Sequence, residues 1–174
     1  MRIYEGSPRQ EFEEVLRSIG SVLDARAMRE CLLLEVPDGF VVQGVTTEAE
    51  GSSLRSERLG RDTKVTLTFV DDDIARFLEE SRSRRGSGPA TPDWGRAGYY
   101  ENALRVIGRY LDMQRPRDIF FLEQDGAFIV RILPSGPVTG AHQIIEFTRD
   151  DIEDLIAKGP ALRADEAGGS AGPA

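Results

Sequence analysis

The chain has 174 residues, 40% of them hydrophobic, and carries 22 basic against 30 acidic side chains, which gives a formal net charge of −8 at pH 7. Mixed charge without any long apolar run indicates a soluble globular protein and argues against a disordered or membrane-spanning one. The acidic balance argues against nucleic acid as the ligand, since affinity for phosphates comes largely from Lys and Arg. No apolar stretch near the N-terminus has the form of a signal peptide, which predicts a cytoplasmic location.

An internal repeat organises the chain. The segment LRSIGSVLD at 16–24 recurs 88 positions later as LRVIGRYLD at 104–112. A second match, between 69–74 and 147–152, has an offset of 78, so the first copy should contain a loop ten residues longer (88 − 78 = 10). The sequence therefore predicts a tandem duplication, with one copy over 1–80 and the other over 99–160.

Each copy opens with an amphipathic helix. Phe12, Leu16, Ile19 and Leu23 fall at the spacing of one buried helical stripe, and the second copy repeats the pattern. Gly20, and Gly108 in the second copy, lie beside this stripe although glycine costs about 1 kcal/mol of helix stability relative to alanine. This cost predicts a close approach of another backbone. In each helix a Glu and an Arg stand four residues apart and predict a surface ion pair, Glu13 with Arg17 and Glu101 with Arg105.

Three strands and a closing helix follow in each copy. Two apolar runs separated by Asp-Gly are typical of a β-hairpin, and a third run alternates between apolar and polar residues. The closing helix begins with acidic residues that complement the helix dipole. The predicted fold class is therefore α+β, a tandem duplication of an α-β-β-β-α unit with an antiparallel sheet or sheets in a pseudo-twofold arrangement. The predicted strands are 31–36, 40–45 and 64–70, and then 119–123, 128–133 and 142–147.

The first strand of each copy is apolar on both faces, and this predicts a surface for a partner. Cys31 and Leu33 alternate with Leu32 and Leu34, and in the second copy Phe120 and Leu122 take the corresponding places. Helices of the same copy can cover only one face of such a strand. The other face should meet the second copy, a second chain or a partner protein.

Metal and acid–base chemistry have weaker support in the sequence. Asp72, Asp73, Asp150 and Asp151 open the two closing helices and could hold a metal only if the two helix starts met; helix capping explains these residues without a metal. No cofactor is predicted. The single cysteine, Cys31, is interpreted as a buried structural thiol. Glu35 and Glu123, at equivalent ends of the first strands, are interpreted as surface acids.

The connecting segments differ in composition from the two units. Residues 81–98 are rich in Arg, Gly, Ser and Pro and predict a flexible linker that contains Arg84, Arg85 and the only tryptophan, Trp94. Weak contact of these arginines with nucleic acid is a third hypothesis. The Gly/Ala-rich segment 161–174 is predicted to be a disordered tail.

The order helix, three strands, helix is similar to that of the double-stranded-RNA-binding domain. Such domains present lysines at the start of the last helix to bind phosphates, whereas this chain has Asp71, Asp72 and Asp73 there, and Asp150 and Asp151 in the second copy. This resemblance is confined to element order and argues against RNA. An amphipathic helix followed by a hairpin also resembles the small acidic chaperones of bacterial secretion systems, one copy at a time.

Phosphate-binding glycine loops, dinucleotide fingerprints and nucleophile motifs are absent, so an enzymatic function has no support in the sequence. The leading hypothesis is a bacterial, non-enzymatic interaction module that binds a partner protein or forms a homodimer through an apolar sheet face. The alternative is a small-molecule or metal-binding module at the contact between the two copies. The partner surface is predicted to contain Leu32, Leu34, Phe120, Leu122, Trp94, Arg84 and Arg85.

Overall fold

The computed structural model describes residues 12–46, 56–59, 62–86, 98–114, 116–124, 126–134 and 142–168. The elements along the chain are α1 (Phe12–Ala25), β1 (Arg29–Val36), β2 (Gly39–Thr46), β3 (Ser56–Leu59), β4 (Asp62–Val70), α2 (Asp71–Gly86), α3 (Tyr99–Gln114), β5 (Pro116–Gln124), β6 (Ala127–Pro134), β7 (Gln143–Phe147) and α4 (Arg149–Gly168). Within these ranges, no helix is both long enough and apolar enough to cross a membrane.

The strands form one antiparallel sheet in the order β3-β4-β2-β1-β5-β6-β7. The α+β class predicted from the sequence is confirmed. The two predicted sets of three strands join through the pairing of β1 with β5, in which Leu33 lies opposite Phe121. One continuous sheet therefore runs through both halves of the chain, and two separate packed sheets are not formed.

The seventh strand is a departure from the predicted α-β-β-β-α unit. β3 pairs with β4 at the edge of the sheet, with Ser56 opposite Val65 and Leu59 opposite Asp62. It lies in the ten-residue excess of the first half, so this half has four strands and the second half has three. Its sequence SERL lacks apolar alternation, and an edge strand can form through main-chain hydrogen bonds to its neighbour alone.

The helices cover one face of the sheet, and the core lies between the two layers. Alternate residues of β1 and β2, such as Leu33, Phe40 and Val42, are completely buried, and the same holds for Phe128 and Val130 of β6. The stripe predicted on α1 is also buried, and together these residues form one apolar cluster. Because consecutive residues of a strand point to opposite faces, the intervening residues lie on the face away from the helices.

The central contact of the helix layer, called here the helix seam, is the antiparallel packing of α1 on α3. A Cβ on Gly20 would lie 2.5 Å from the carbonyl oxygen of Tyr100, and one on Gly108 would lie 2.6 Å from that of Phe12. Real Cβ atoms do not approach backbone atoms so closely. The close approach predicted at both glycines is therefore confirmed, and it is reciprocal, since Tyr100 is the position equivalent to Phe12.

Two aspartates cap the helices at the two ends of the helix seam. The Asp24 carboxylate accepts hydrogen bonds from the backbone N–H groups of Tyr100 (3.0 Å) and Glu101 (2.8 Å) at the start of α3. Asp112 accepts the corresponding bonds from Phe12 (2.9 Å) and Glu13 (3.1 Å) at the start of α1. The last turn of each helix thus carries an aspartate whose carboxylate caps the start of the other helix.

The ion pairs predicted within each helix form between the helices instead. Arg17 Nε donates to Glu101 Oε1 at 2.8 Å, and Arg105 Nε lies 3.8 Å from Glu13 Oε1. The prediction of local pairs was wrong because the glycines bring the two helices so close that each arginine reaches the opposite helix. The Arg105 side chain is only 2% exposed, so its pair is not on the surface.

Two helices extend into segments that the sequence analysis assigned to linker and tail. α2 continues to Gly86, six residues into the 81–98 linker, and α4 continues to Gly168, eight residues into the 161–174 tail. Arg is frequent in the first extension and Ala in the second, and both are good helix formers that favour helix without needing an apolar period. The apolar pattern used to place the boundaries does not detect such extensions.

Candidate functional site

The face of the sheet away from the helices, called here the open face, carries two rows of side chains across six strands. The pairing registers define both rows. The first row is Thr68, Val41, Leu34, Phe120, Arg131 and Ile144, and the second is Thr66, Gln43, Leu32, Leu122, Ile129 and Glu146. At the centre of the first row Leu34 is 41% exposed, so the apolar centre reaches the molecular surface.

The four apolar residues predicted to bind a partner lie together at the centre of the open face. Leu32 of β1 is opposite Leu122 of β5, and Leu34 is opposite Phe120. Leu34 is 41% exposed, and the other three are partly exposed. The register of β1 with β5 therefore brings these four residues together in one contiguous apolar patch.

The residues that extend this patch were not predicted from the sequence. Val41 and Ile129 flank it on β2 and β6, and Ile144 of β7, 69% exposed, lies farther out. None of these strands alternates strictly between apolar and polar residues, so the sequence alone does not reveal which of their apolar residues face the helices. Arg131 covers part of the patch, with its guanidinium carbon 5.2 Å from the centre of the Phe120 ring, as in a cation–π contact.

The remaining predicted contact residues cannot be placed on this face. Trp94 lies outside the described residues. Arg84 and Arg85 belong to the helical backbone of α2, but their side chains also lie outside what the structure describes. The prediction of nucleic-acid contact through these arginines therefore stays untested.

The structure does not bring the candidate metal-binding aspartates together. Asp72 and Asp73 begin α2 after β4, and Asp150 and Asp151 begin α4 after β7. Five strand spacings separate β4 from β7, which is roughly 24 Å. Among the described residues, no group of three or more acidic, His or Cys side chains could hold a metal ion.

Helix capping accounts for two of these aspartates. Asp73 accepts the backbone N–H of Val70 at 3.2 Å. Asp151 accepts the N–H of Thr148 at 2.9 Å while the Thr148 hydroxyl accepts the N–H of Asp151 at 3.2 Å. Hydrogen bonds from Thr148 lower the pKa of Asp151, so its carboxylate is ionised at neutral pH. The capping predicted for these aspartates is therefore observed at Asp73 and Asp151.

A small buried polar cluster lies between the sheet and the start of α3. The Tyr100 hydroxyl donates to Glu123 Oε2 at 3.0 Å, and Glu123 Oε1 accepts the N–H of Gly126 at 3.1 Å. Glu123 is only 8% exposed, so its interpretation as a surface acid was wrong; the tyrosine and the hairpin turn satisfy it internally. Burial raises the pKa of the neighbouring Cys31 thiol to about 12, which keeps it protonated and unreactive as a nucleophile.

A cleft of about 320 Å³ opens at one end of the helix seam, between α1, α2 and α3. Its lining is mainly apolar surface, with charged and hydroxyl groups of Arg, Glu and Ser side chains among it. The positions 88 residues later in the sequence carry larger side chains: Val106 against Ser18, Arg109 against Ser21 and Met113 against Ala25. The lining is Arg17, Ser18, Ser21, Val22, Ala25, Arg26, Phe77, Glu80 and Glu101.

Comparison of the chain with protein-family models, with curated protein sequences and with solved structures gives no significant match.

Proposed function

We propose that this protein is a non-enzymatic interaction module whose open face binds protein. The observation that carries the proposal is the contiguous apolar patch of Leu32, Leu34, Phe120 and Leu122. A β-strand with apolar residues on both faces is normally covered on both, and a large apolar patch on a soluble protein marks an interaction site. Association would remove this surface from water and gain roughly 25 cal/mol per Å² of apolar area before the costs of binding.

We also propose that the two halves are copies of one unit related by a pseudo-twofold axis through the Leu33–Phe121 pair. The recurring sequence segment supports duplication, and the contacts of the helix seam support the axis. Asp24 caps α3 and Asp112 caps α1 in the same way, and the two aspartates are 88 positions apart in the sequence. The close approaches at Gly20 and Gly108 have the same offset.

The test of the proposed function is photo-crosslinking from the open face in native cells. The photoreactive residue p-benzoyl-phenylalanine replaces Leu34 in one variant and Met113 in a matched control. Met113 is 67% exposed on α3, away from the open face. Covalent protein adducts are expected from position 34 and not from position 113. An absence of adducts at position 34, or equal adducts at both positions, would contradict the proposal.

The cleft supports a second candidate, a small-molecule site at the helix seam. The observation that favours it is the cleft of about 320 Å³ itself, which Ser18 and Ala25 line with small side chains; the positions 88 residues later carry the larger Val106 and Met113. Its volume is near the lower limit for ligand pockets. Arg26 and Glu80 offer both charges beside Phe77, which suits a small ligand with polar and apolar parts.

The double variant Ser18→Val/Ala25→Met tests the cleft with side chains that the other half already carries. A bound metabolite at about 100 times its Kd should raise the melting temperature of the wild-type protein by roughly 5–10 °C. We expect amino acids and short-chain carboxylates to give such a shift in the wild type and none in the filled variant. Shifts that are equal in both proteins, or absent from both, would rule out this site.

A further inference from the structure

We infer that the occupant of the open face is a second copy of this chain, packed face to face about a twofold axis parallel to the strands. The inference rests on the proposed function, because it names the partner of the same surface. Its support comes from the area of the face, from the distribution of apolar and polar side chains and from the placement of opposite charges at opposite edges.

The area of the open face suits a stable dimer. The six strands from β4 to β7 span five spacings, about 24 Å, and an eight-residue strand is about 26 Å long. The flat area is therefore roughly 600 Å², and the relief of the side chains makes the accessible area larger. Interfaces of standard size bury about 800 Å² on each partner. Two sheets packed in this way lie about 10 Å apart with their strands nearly aligned.

The face also has the composition of an interface between proteins. Its two middle strands present Leu32, Leu34, Phe120 and Leu122. The strands farther out are more polar: β4 presents Lys64, Thr66 and Thr68, and β7 presents Glu146 beside Ile144. An apolar centre inside a polar rim is the usual anatomy of specific interfaces. A twofold axis parallel to the strands places β1 of one copy over β5 of the other, so each apolar strand covers an apolar strand.

The charges at the rim select this axis over the perpendicular one. Lys64 is on β4, which only the short edge strand β3 separates from one side of the sheet, and Glu146 is on β7 at the opposite edge. With the axis parallel to the strands, β4 of each copy lies over β7 of the other, and each lysine meets an edge that carries a glutamate. An axis perpendicular to the strands would place β7 over β7 and bring like charges to the same edge. One face thus carries both halves of a complementary pair, as an interface between identical chains requires.

Sedimentation equilibrium of the purified full chain tests the inference. The wild type should form a species of twice the 19.2 kDa chain mass, with a proportion that rises with concentration. Leu34→Glu should raise the dimer Kd at least about 30-fold, because it puts a charge at the centre of the buried patch. Met113→Glu adds the same charge away from the face and should leave the Kd unchanged.

A charge swap tests the orientation without disturbing the core. Lys64→Glu should raise the Kd about tenfold at low salt, because two rim pairs per dimer become repulsive, and Lys64→Glu/Glu146→Lys should restore it. Lys158→Glu, an exposed change of the same charge on α4, is the control and should have no effect. A failure of the double variant to restore the Kd would overturn the proposed axis.

The mass of the photo-crosslinked product separates this inference from the function on which it rests. Adducts of two identical chains from position 34 would support both. Adducts with a different protein, together with a wild type that sediments as a monomer at every concentration, would overturn the inference and leave the proposed function standing. An absence of any adduct would overturn the proposed function itself.

Discussion

Replacing Gly20 with alanine is expected to lower the free energy of unfolding by about 3 kcal/mol, although the same change in an ordinary helix raises it by about 1 kcal/mol. The added Cβ would lie 2.5 Å from the Tyr100 carbonyl oxygen, which is backbone and can move only if α1 and α3 separate. Equilibrium denaturation in urea measures the change. Ser21→Ala, at the exposed neighbouring position, is the control and should shift stability by no more than about 0.5 kcal/mol.

The double variant Gly20→Ala/Gly108→Ala distinguishes a shared contact from two independent ones. Once the first Cβ has moved the helices apart, the second has more room, since both glycines serve the same helix seam. We therefore expect the double variant to lose less than the sum of the single losses, by at least about 0.5 kcal/mol. Strict additivity, or a stabilising effect of either single change, would show that the helices are not in such close contact.

Removal of the carboxylate at Asp24 is expected to lower the free energy of unfolding by about 2–3 kcal/mol. Asp24→Ala would leave the N–H groups of Tyr100 and Glu101 without their acceptor at the half-buried start of α3. Burial raises the pKa of Asp24 above its ordinary value, and the two backbone donors offset part of that rise. Thermal unfolding should show a melting temperature lower by roughly 4–12 °C, with a similar loss for Asp112→Ala.

Two further variants separate this role from a general effect of charge. Asp24→Asn keeps one acceptor oxygen and should recover about half of the loss. Asp154→Ala removes an exposed carboxylate that pairs with Lys158 on α4 and should cost no more than about 0.5 kcal/mol. A loss at Asp24 no larger than that at Asp154 would mean that the carboxylate does not cap α3.

Features whose cause is local could be predicted from the sequence. The spacing of Phe12, Leu16 and Ile19 identified the buried side of α1, because helix geometry fixes which residues share a face. Asp-Gly pairs located both hairpins; Gly39 and Gly126 have φ values of +137° and +79°, which other residues adopt only with strain. The repeat indicated an additional constraint at Gly20 because a costly residue recurred in a helix.

Features set by contacts between elements could not be predicted in full. Arg17 was assigned to Glu13 because the two are neighbours on one helix, whereas the distance between helices decides the actual partner, Glu101. Asp24 recurs as the last residue of the repeated segment and has no place on the apolar stripe. This combination was a signal for its capping role, but the residue it caps lies 76 positions away.

The open face shows the same division between local and distant causes. Leu32 and Leu34 were identified because β1 is apolar on both sides. Val41, Ile129 and Ile144 were not, since each lies in a run of consecutive apolar residues, and which of these residues face the core depends on how the strands pair. The size of the patch therefore became visible only with the sheet register.

Photo-crosslinking from position 34, with position 113 as its control, tests most directly the central claim that the open face is where this protein meets protein. We expect adducts from Leu34, at the centre of the apolar patch, and none from Met113 on the helix layer, although Met113 is the more exposed of the two. Adducts from position 113 alone, or from neither position, would contradict it.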